Sequence, residues 1–473
     1  MKLEIRNLGV LEEAKIDLKP LTIFVGPNNA GKTWLAYTFA GILGDYGWSQ
    51  YLRAYIAGDV QDPYPRLDTA IQHILEEGDA RIDLVQFIEE HGELYVNNVA
   101  KLAKRWMREF LRTGLFSFER LEIHIELAEL KEEAKTRVLK YSLNTLEEIG
   151  QERRKTPLNV LKEAGSPEMY LYTSTEGSSS ERPPLKVIKD LVVVNIFNAL
   201  HRAFFTDKPI FPTERTTFIT YPFSGGRKLN IRKRTTDEGP LDEQGGRVLS
   251  APVSFFLTMI QAAFTMDSFD REEREEKAEN NEPVRIYMQW AQLLEREILH
   301  GNIDFSTPEP GPKRDLLFQP VDDITLEIPI ASSMVKELSS LVLYLRYFAE
   351  LGDWLIIDEP EMNLHPEAQV KIMEFLAMLV NAGLRVLITT HSPNMVDHLE
   401  NLIRAAEYQK KDQALIAKEF FLHRSDAFIS QEDVSIYLVD HKKAESILLE
   451  EGKINWGTFG DVSDRVARIH YQL

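Results

Sequence analysis

The chain contains no cysteine among its 473 residues, which excludes disulfide bonds, zinc–thiolate sites and a cysteine nucleophile. Long apolar runs are also missing. The longest, residues 253–264, is interrupted by polar side chains and is too short to span a bilayer. Residues 1–7 include no apolar segment of signal-peptide length. We therefore expect a cytoplasmic protein without membrane contact.

Basic residues are also fewer than acidic residues. Lys and Arg number 55 against 74 Asp and Glu, so the formal net charge is −19 at pH 7. This excess of acid opposes non-specific binding to nucleic acid, so any contact with a polyanion must be local. The one dense basic cluster is either a solvated loop or such a local contact with nucleic acid or an acidic partner. It consists of Arg227, Lys228, Arg232, Lys233 and Arg234.

One complete motif is present near the N-terminus. Residues 26–33 read GPNNAGKT, between an apolar segment that ends at Val25 and a long, largely apolar segment that begins at Trp34. This is a GxxxxGKT phosphate-binding loop in the required context of a strand followed by a helix. Lys32 is predicted to contact the β- and γ-phosphates and the Thr33 hydroxyl to ligate Mg²⁺. The residues predicted to bind ATP here are Gly26, Pro27, Asn28, Asn29, Ala30, Gly31, Lys32 and Thr33.

A second segment supplies the acids that such a loop needs. Residues 354–359 read WLIIDE, a buried strand with two carboxylates at its C-terminal end, where open α/β sheets place their ligands. Asp358 is predicted to lie on the Mg²⁺ side. Because side chains alternate along an extended chain, Glu359 should point elsewhere and is the candidate for polarising the attacking water.

The next strand is predicted to bring a histidine to the same edge. Pro366 suits the first turn of a helix that Gly383 ends, and residues 384–391 then form another apolar strand. His391 ends this strand, and Ser392 is predicted to cap the following helix. Since one helical crossover separates the two strands, His391 should face the same phosphates.

A serine pair precedes another helix upstream. Residues 323–330 alternate apolar and polar side chains, which predicts a strand, and a helical apolar stripe begins at Met334. Ser332 and Ser333 lie where this helix starts. They are either a plain N-cap or a nucleotide-binding element.

Taken together, these motifs resemble the ABC-type ATPases, most closely the SMC, RecF and OLD group. Within that group they resemble the ATPase subunits of bacterial phage-defence systems such as PARIS and Septu. The resemblance covers about a third of the chain, in residues 1–45, 205–220 and 320–405. The segments that carry it are GPNNAGKT, FPTERT (211–216), SSMVKEL (332–338), LIIDEPEMNLHPEAQ (355–369) and VLITTHS (386–392).

The resemblance implies that two ATP molecules are sandwiched between two copies of the chain. Ser332 and Ser333 would then contact the γ-phosphate in trans, Asn363 would lie at the dimer seam, and His391 would sense the γ-phosphate. Where transporter-type signatures carry Gly-Gly, this chain has Ser333 and Met334, so we expect slow, regulatory hydrolysis. Glu214 and Arg215 are either candidates for the role of the glutamine loop or a simple ion pair.

The spacing of the motifs predicts a divided α/β fold: an ABC-type P-loop ATPase domain with a mixed sheet, plus a helical or coiled-coil-like insertion. The ATPase core should comprise residues 1–65, a strand segment at 201–224 and residues 319–473. A helical insertion is expected at 66–200, with an amphipathic stretch at 127–149, and a second insertion at 225–318.

The predicted function is that of an ATPase whose ATP-dependent dimer senses a trigger and controls a separate effector nuclease in phage defence. A RecF- or SMC-like ATPase that binds DNA directly is the alternative, and a transporter ATPase ranks third. We expect no nuclease activity in the chain itself. Only 82 residues follow His391, a strand is predicted at 433–440, and Glu450, Glu451 and Asp461 do not form a two-metal acidic motif.

Overall fold

A computed structural model describes residues 1–61, 63–127, 129–144, 158–173, 185–205, 209–220, 249–307, 310, 314–320, 324–455 and 468–469. The strands are β1 (Lys2–Leu8), β2 (Leu11–Asp17), β3 (Leu21–Val25), β4 (Asp79–Asp83), β5 (Glu122–Glu126), β6 (Leu143–Asn144), β7 (Leu158–Lys162), β8 (Glu168–Thr173), β9 (Ile210–Phe211), β10 (Gly301–Phe305), β11 (Leu316–Pro320), β12 (Leu326–Glu327), β13 (Trp354–Asp358), β14 (Arg385–Thr390), β15 (Val434–Asp440) and β16 (Lys443–Ser446).

The α-helices are α1 (Lys32–Leu43), α2 (Asp45–Ala57), α3 (Pro65–Glu77), α4 (Leu84–Lys101), α5 (Ala103–Phe110), α6 (Glu129–Lys140), α7 (Leu185–Phe204), α8 (Arg215–Thr220), α9 (Ala251–Thr265), α10 (Ser268–Asn280), α11 (Glu282–Leu294), α12 (Ser333–Tyr347), α13 (Pro366–Asn381), α14 (Pro393–Ala406) and α15 (Lys410–Ile416). A π-helical turn, Glu295–Leu299, continues α11. Short 3₁₀ turns lie at Ile328–Ile330, Ala417–Glu419, Ser425–Ala427, Gln431–Asp433 and Glu450–Gly452.

Among the described residues, the main sheet has nine strands in the order β5-β1-β2-β16-β15-β3-β14-β13-β9. The run from β15 to β9 is parallel, while β16 is antiparallel to β15 and β1 to β5. Every residue of β3 and β13 is buried, as expected for parallel strands covered on both faces. The expected α/β class with a mixed sheet is confirmed. This arrangement brings the C-terminal ends of β3, β13 and β14 to one edge.

The chain divides into two compact units. The first comprises residues 1–6, 41–106 and 118–206 and contains a four-stranded antiparallel sheet in the order β4-β8-β7-β6. The helical description of 66–200 is therefore incomplete, because strands of two to six residues are too short to stand out from helical patterning. Within the described part of the stretch 127–149, helix covers Glu129–Lys140, and β6 follows it.

The second unit comprises residues 7–40, 107–117 and 207–473. Its core contains apolar side chains of α9, α11 and β10 together with those of α12, α13 and α14. The described part of the expected second insertion, 225–318, thus shares one core with the ATPase motifs. The strand predicted at 433–440 is present as β15, which lies parallel to β3 inside the main sheet.

The strand predicted at 323–330 is reduced to the two residues of β12. A 3₁₀ turn containing Pro329 follows, because proline lacks the N–H that a sheet ladder needs. Ile324 and Ile330 are exposed, whereas Ile328 is buried. No helix in the described parts of the chain has the length and apolar character that a bilayer crossing requires.

Candidate functional site

The loop between β3 and α1 has the close-packed backbone that its glycines predict. Gly26 and Gly31 both have positive φ, 152° and 102°. A Cβ at Gly26 would lie 2.2 Å from the carbonyl oxygen of Val439 in β15, so only glycine fits at this position. The C-terminal strand β15 therefore supports the phosphate-binding loop directly.

Lys32 begins α1 and is held inside the loop. Its side chain is 5% exposed, and its Nζ donates hydrogen bonds of 2.9 Å to the carbonyl oxygens of both Gly26 and Pro27. Burial lowers the pKa of Lys32, while the carboxylates of Glu359 and Asp358 oppose that shift. The structure thus places a largely desolvated ammonium group between the loop backbone and the acids at the end of β13.

Asp358 ends β13 as a buried carboxylate surrounded by hydroxyl groups. Its Oδ1 accepts hydrogen bonds from Thr33, at 3.1 Å, and from Thr389, and Tyr37 donates to Oδ2 at 3.4 Å. Burial raises the pKa of Asp358, and the bonds from Thr389 and Thr33 counteract this. Sequence reasoning predicted the approach of Thr33 and Asp358. It missed Tyr37 and Thr389, whose polar groups lie within apolar sequence.

Glu359 does not continue the strand. Its φ of 51° places it in the left-handed region, which corrects the expectation that extended-chain alternation sets its direction. Its N–H donates to the Thr389 carbonyl oxygen and hydroxyl, each at 3.1 Å, and these bonds help to turn the chain here. Glu359 Oε1 lies 3.5 Å from His391 Nδ1, so the two residues are brought together as predicted.

A third acid, Glu361, was not predicted as part of the site. It is 3% exposed, and its Oε1 accepts hydrogen bonds from the Thr390 hydroxyl at 2.6 Å and the His391 N–H at 2.8 Å. The sequence feature that could have pointed to Glu361 is its position, an acid two residues after Glu359. Glu361 thereby holds the end of β14, while the His391 side chain remains 47% exposed.

A cavity of about 380 Å³ borders this cluster. It is lined by Glu361, Met362, Asn363, Leu364, Gln369, His391, Ser392, Pro393 and Asn394. A larger cavity of about 830 Å³ lies before the start of β15, beside Lys19 and Glu432, and includes none of the site residues. We assign nucleotide chemistry to the β13–β14 edge because the charged groups converge there.

Arg215, at the start of α8, is buried and does not pair with Glu214. Its guanidinium contacts the carboxylate of Glu337 in α12 and donates to the carbonyl oxygens of Asp358, at 2.6 Å, and Glu359, at 2.7 Å. The ion-pair alternative for Glu214 and Arg215 is therefore wrong. Glu214 is exposed, and Thr213 donates to its carboxylate at 3.3 Å. Glu337 was not predicted as part of this contact. The sequence feature that could have revealed it is a charged residue within a helical segment whose neighbours are buried.

Ser332 and Ser333 are exposed at the start of α12. Ser332 accepts a hydrogen bond from the Val335 N–H at 3.3 Å, which confirms the N-cap. Asn363 is exposed and has φ 61°, in the left-handed region. Contact of these three residues with a second nucleotide stays a prediction.

The remaining sequence candidates fall elsewhere. The basic cluster from Arg227 to Arg234 and the acid Asp461 lie outside the described residues. Glu451 has φ 62° in a short 3₁₀ turn and pairs with Lys453 at 3.2 Å. Over the described ranges, no group of three or more His, Asp or Glu side chains is arranged to hold a metal ion by itself. A magnesium ion at Thr33 and Asp358 would need further ligands from substrate phosphates and water, which is its usual mode of binding.

Comparison with known proteins agrees with this geometry. Residues 250–397 match the family described as "AAA domain, putative AbiEii toxin, Type IV TA system". This segment contains Asp358, Glu359 and His391. A stretch of 118 residues is 27% identical to the cell division ATP-binding protein FtsE of Mycobacterium tuberculosis, covering 24% of this chain and 51% of that protein. The chain thus spans about half the length of this relative.

Two solved structures also align with most of the chain. One is an Smc head bound to the C-winged helix domain of ScpA, at 10% identity, TM-score 0.38, and 94% and 96% coverage of this chain and that one. The other is an Smc head domain with an extended coiled coil, bound to the C-terminal domain of ScpA derived from Pyrococcus furiosus, at 10% identity, TM-score 0.35, and 99% and 98% coverage. From the family match, the FtsE similarity and the site geometry, the chain carries an ATP-binding P-loop ATPase domain of the ABC type.

Proposed function

We propose that this protein binds ATP with Mg²⁺, hydrolyses it slowly, and uses the nucleotide state of a dimer to control a separate effector. The observation that carries the proposal is the convergence of Lys32, Thr33 and Asp358 at one sheet edge, with Glu359 beside His391. Phosphoryl transfer needs little covalent chemistry from the protein. It depends on positioning and on charge stabilisation, which this set of residues can supply.

Each residue has a distinct role in this proposal. Lys32 binds the β- and γ-phosphates together with the N–H groups of residues 28–31. Thr33 and Asp358 would hold Mg²⁺, which would neutralise charge on the phosphates. A water molecule attacks the γ-phosphorus while the bond to the β–γ bridging oxygen breaks. Glu359 accepts the proton of that water, and His391 contacts the γ-phosphate.

The dimer is proposed from the exposed start of α12. Ser332 and Ser333 lie on the surface, where the N–H groups of a helix N-terminus favour an anionic ligand from a second copy. Asn363 would lie at the seam between the copies. A nucleotide completed in trans makes the dimer, and hence any effector it controls, responsive to ATP.

We assign the effector to anti-phage defence, and most specifically to a nuclease on a separate chain. Two observations support this assignment: the matched family's description names a putative toxin and a toxin–antitoxin system, and the sequence motifs resemble defence ATPases. The net charge of −19 weighs against the alternative of a RecF- or SMC-like protein that binds DNA along its surface. A nuclease encoded beside this gene that copurifies with the chain would support the assignment. Strong, salt-sensitive duplex binding by the purified chain would favour the alternative.

Two substitutions test the chemistry. Lys32→Ala should abolish ATP binding, because the loop loses the side-chain cation that contacts the phosphates. Glu359→Gln should retain binding but slow hydrolysis by about a hundredfold or more, the scale of a lost general base. ATP affinity and turnover are measured for both.

Glu367→Gln is the matched control for the second substitution. Glu367 is an exposed acid at the start of α13, so its replacement should leave turnover unchanged. Hydrolysis by Glu359→Gln at the wild-type rate would show that the base is assigned to the wrong residue.

A further inference from the structure

The buried guanidinium of Arg215 donates hydrogen bonds to main-chain carbonyl oxygens at the turn formed by Asp358 and Glu359. The side chain is 2% exposed, and Nη1 donates to the carbonyl oxygens of Pro212, at 3.0 Å, and Asp358, at 2.6 Å. Nη2 donates to the Glu359 carbonyl oxygen at 2.7 Å. A planar fork with five donors can bind several such acceptors at once, which a lysine ammonium cannot match in geometry.

These bonds act on a backbone conformation that is unfavourable by itself. Glu359 is a non-glycine residue with φ 51°, and such a conformation persists only where its surroundings hold it. Thr389 accepts from the N–H of Glu359, and Arg215 donates to its carbonyl oxygen. The main chain of Glu359 is therefore held on both sides, which sets the direction in which its side chain leaves the backbone, and its carboxylate lies beside His391.

Glu337 anchors the same guanidinium to helix α12. Its carboxylate is buried and contacts the Arg215 guanidinium. One acid of α12 thus holds the guanidinium that binds the chain at the end of β13. The same helix begins at the exposed pair Ser332 and Ser333, one turn before Glu337.

We propose that Arg215 is a positioning residue for ATP hydrolysis: its guanidinium, anchored by Glu337, keeps Glu359 in the left-handed conformation that aims its carboxylate at the attacking water. The inference rests on the proposed function, since it assigns Glu359 as the base. Arg215 itself touches no reacting atom. It acts through the main chain of Asp358 and Glu359.

Arg215→Lys tests this role, with Arg274→Lys as its matched control. Arg274 is also buried in the second unit, contacts a carboxylate, Glu350, at 2.7 Å, and donates to the Ala349 carbonyl oxygen at 2.7 Å. We expect Arg215→Lys to lower kcat about ten- to a hundredfold, the scale for losing an orienting partner, with KM and ATP affinity unchanged. Arg274→Lys should leave kcat unchanged. Equal kcat for the two variants, or a fall in ATP affinity that accounts for the loss, would overturn the proposal.

A double-mutant cycle separates positioning from general loss of structure. If Arg215 acts through Glu359, the variant carrying both Glu359→Gln and Arg215→Lys should hydrolyse ATP no more slowly than Glu359→Gln alone. Multiplicative losses would show that Arg215 acts independently of Glu359 and would overturn the inference. Should Arg215→Lys fail to fold, Glu337→Gln takes its place in the same cycle, with the same criterion.

The cycle also distinguishes failure of this inference from failure of the proposed function. Wild-type turnover that does not depend on Glu359 removes the proposed base, and the inference with it. Turnover that depends on Glu359 but does not change in Arg215→Lys leaves the proposed function intact and removes only the role of Arg215.

Discussion

Glu337 is a carboxylic acid in a part of α12 that is otherwise packed with apolar side chains. Burial raises its pKa from 4.5 to about 7, against the opposing effects of Arg215 and Asn363, while Glu361 and Glu359 add to the rise. A buried contact between a carboxyl group and a guanidinium is weak evidence for stability, because desolvation of the charged forms offsets much of the Coulomb attraction. Its value to the protein therefore lies in geometry.

The raised pKa predicts a specific pH dependence of folding. Between pH 4.5 and about 7, Glu337 is ionised in the unfolded chain but still protonated in the folded one. Its contribution to stability is thus complete below the unfolded pKa and is lost as the pH rises through the folded value. Relative to Glu337→Gln, which does not titrate, wild type should lose up to about 3 kcal/mol of unfolding free energy over this range.

Urea denaturation of both proteins at a series of pH values measures this difference. Titrating groups that do not interact with Glu337 contribute equally to wild type and variant, so they cancel in the comparison. A difference in unfolding free energy that stays constant from pH 4 to 8 would contradict the raised pKa of Glu337.

At the scale of elements, the sequence predicted what depends on local spacing. The positions of the loop after β3, Asp358 at the end of β13, His391 after β14 and the caps Ser332 and Ser392 agree with the sequence prediction, because each follows from residues within a few positions of one another. Contacts between side chains far apart in the sequence could not be predicted from it. Arg215 and Glu337 are 122 positions apart, and neither local pattern selects the other as its partner.

The backbone conformation at the ends of strands could also not be predicted from the sequence. Glu359 was expected to be extended because it follows a strand, but tertiary hydrogen bonds to Thr389 and Arg215 hold it in the left-handed region. The same limit applies to the insertion boundaries. α9, α11 and β10, which lie between residues 249 and 307, pack into the core of the second unit, and only tertiary contacts reveal this.

The close contact between the phosphate-binding loop and β15 predicts how the addition of one methyl group at Gly26 changes ATP binding. In Gly26→Ala the new Cβ would meet the Val439 carbonyl oxygen at 2.2 Å, so the loop must move away from β15. We expect ATP affinity to fall more than about tenfold, because the N–H groups that cradle the phosphates lose their alignment.

Gly58→Ala is the matched control for this effect. Gly58 also has positive φ, 81°, but a Cβ there meets nothing within 4 Å. Its replacement should cost about 1 kcal/mol of stability from backbone conformation alone and leave ATP binding intact. Equal ATP affinity of the two variants, measured by calorimetry, would show that the loop tolerates displacement from β15.

At the scale of the whole molecule, the second unit joins motifs from both ends of the chain in one core. β3 lies between β14 and β15, so residues near the N-terminus and strands beyond residue 385 form the same sheet. α12 carries the exposed serines at one end, and Glu337 links its first turns through Arg215 to the turn formed by Asp358 and Glu359. A contact made at the start of α12 by a second copy would thus lie on an element that is linked to Glu359 through Arg215.

This arrangement predicts an ATP-dependent dimer. With Glu359→Gln, which should bind ATP but hydrolyse it slowly, sedimentation velocity should show a dimer in ATP and a monomer without nucleotide. Lys32→Ala should remain monomeric in both conditions. Adding Ser332→Arg to Glu359→Gln should prevent the dimer, because a long side chain occupies the position at which the second nucleotide would contact α12.

Ser332→Ala in the same background separates bulk from loss of the helix cap. Either substitution removes the bond that the Ser332 hydroxyl accepts from the Val335 N–H, at a cost of about 1 kcal/mol, but alanine adds no bulk at the contact. We therefore expect the alanine variant to dimerise in ATP and the arginine variant to stay monomeric. Equal dissociation of both would attribute the effect to the cap. A chain that is monomeric in every nucleotide condition would rule out the sandwich dimer, and ATP would then have to regulate the effector within a single copy.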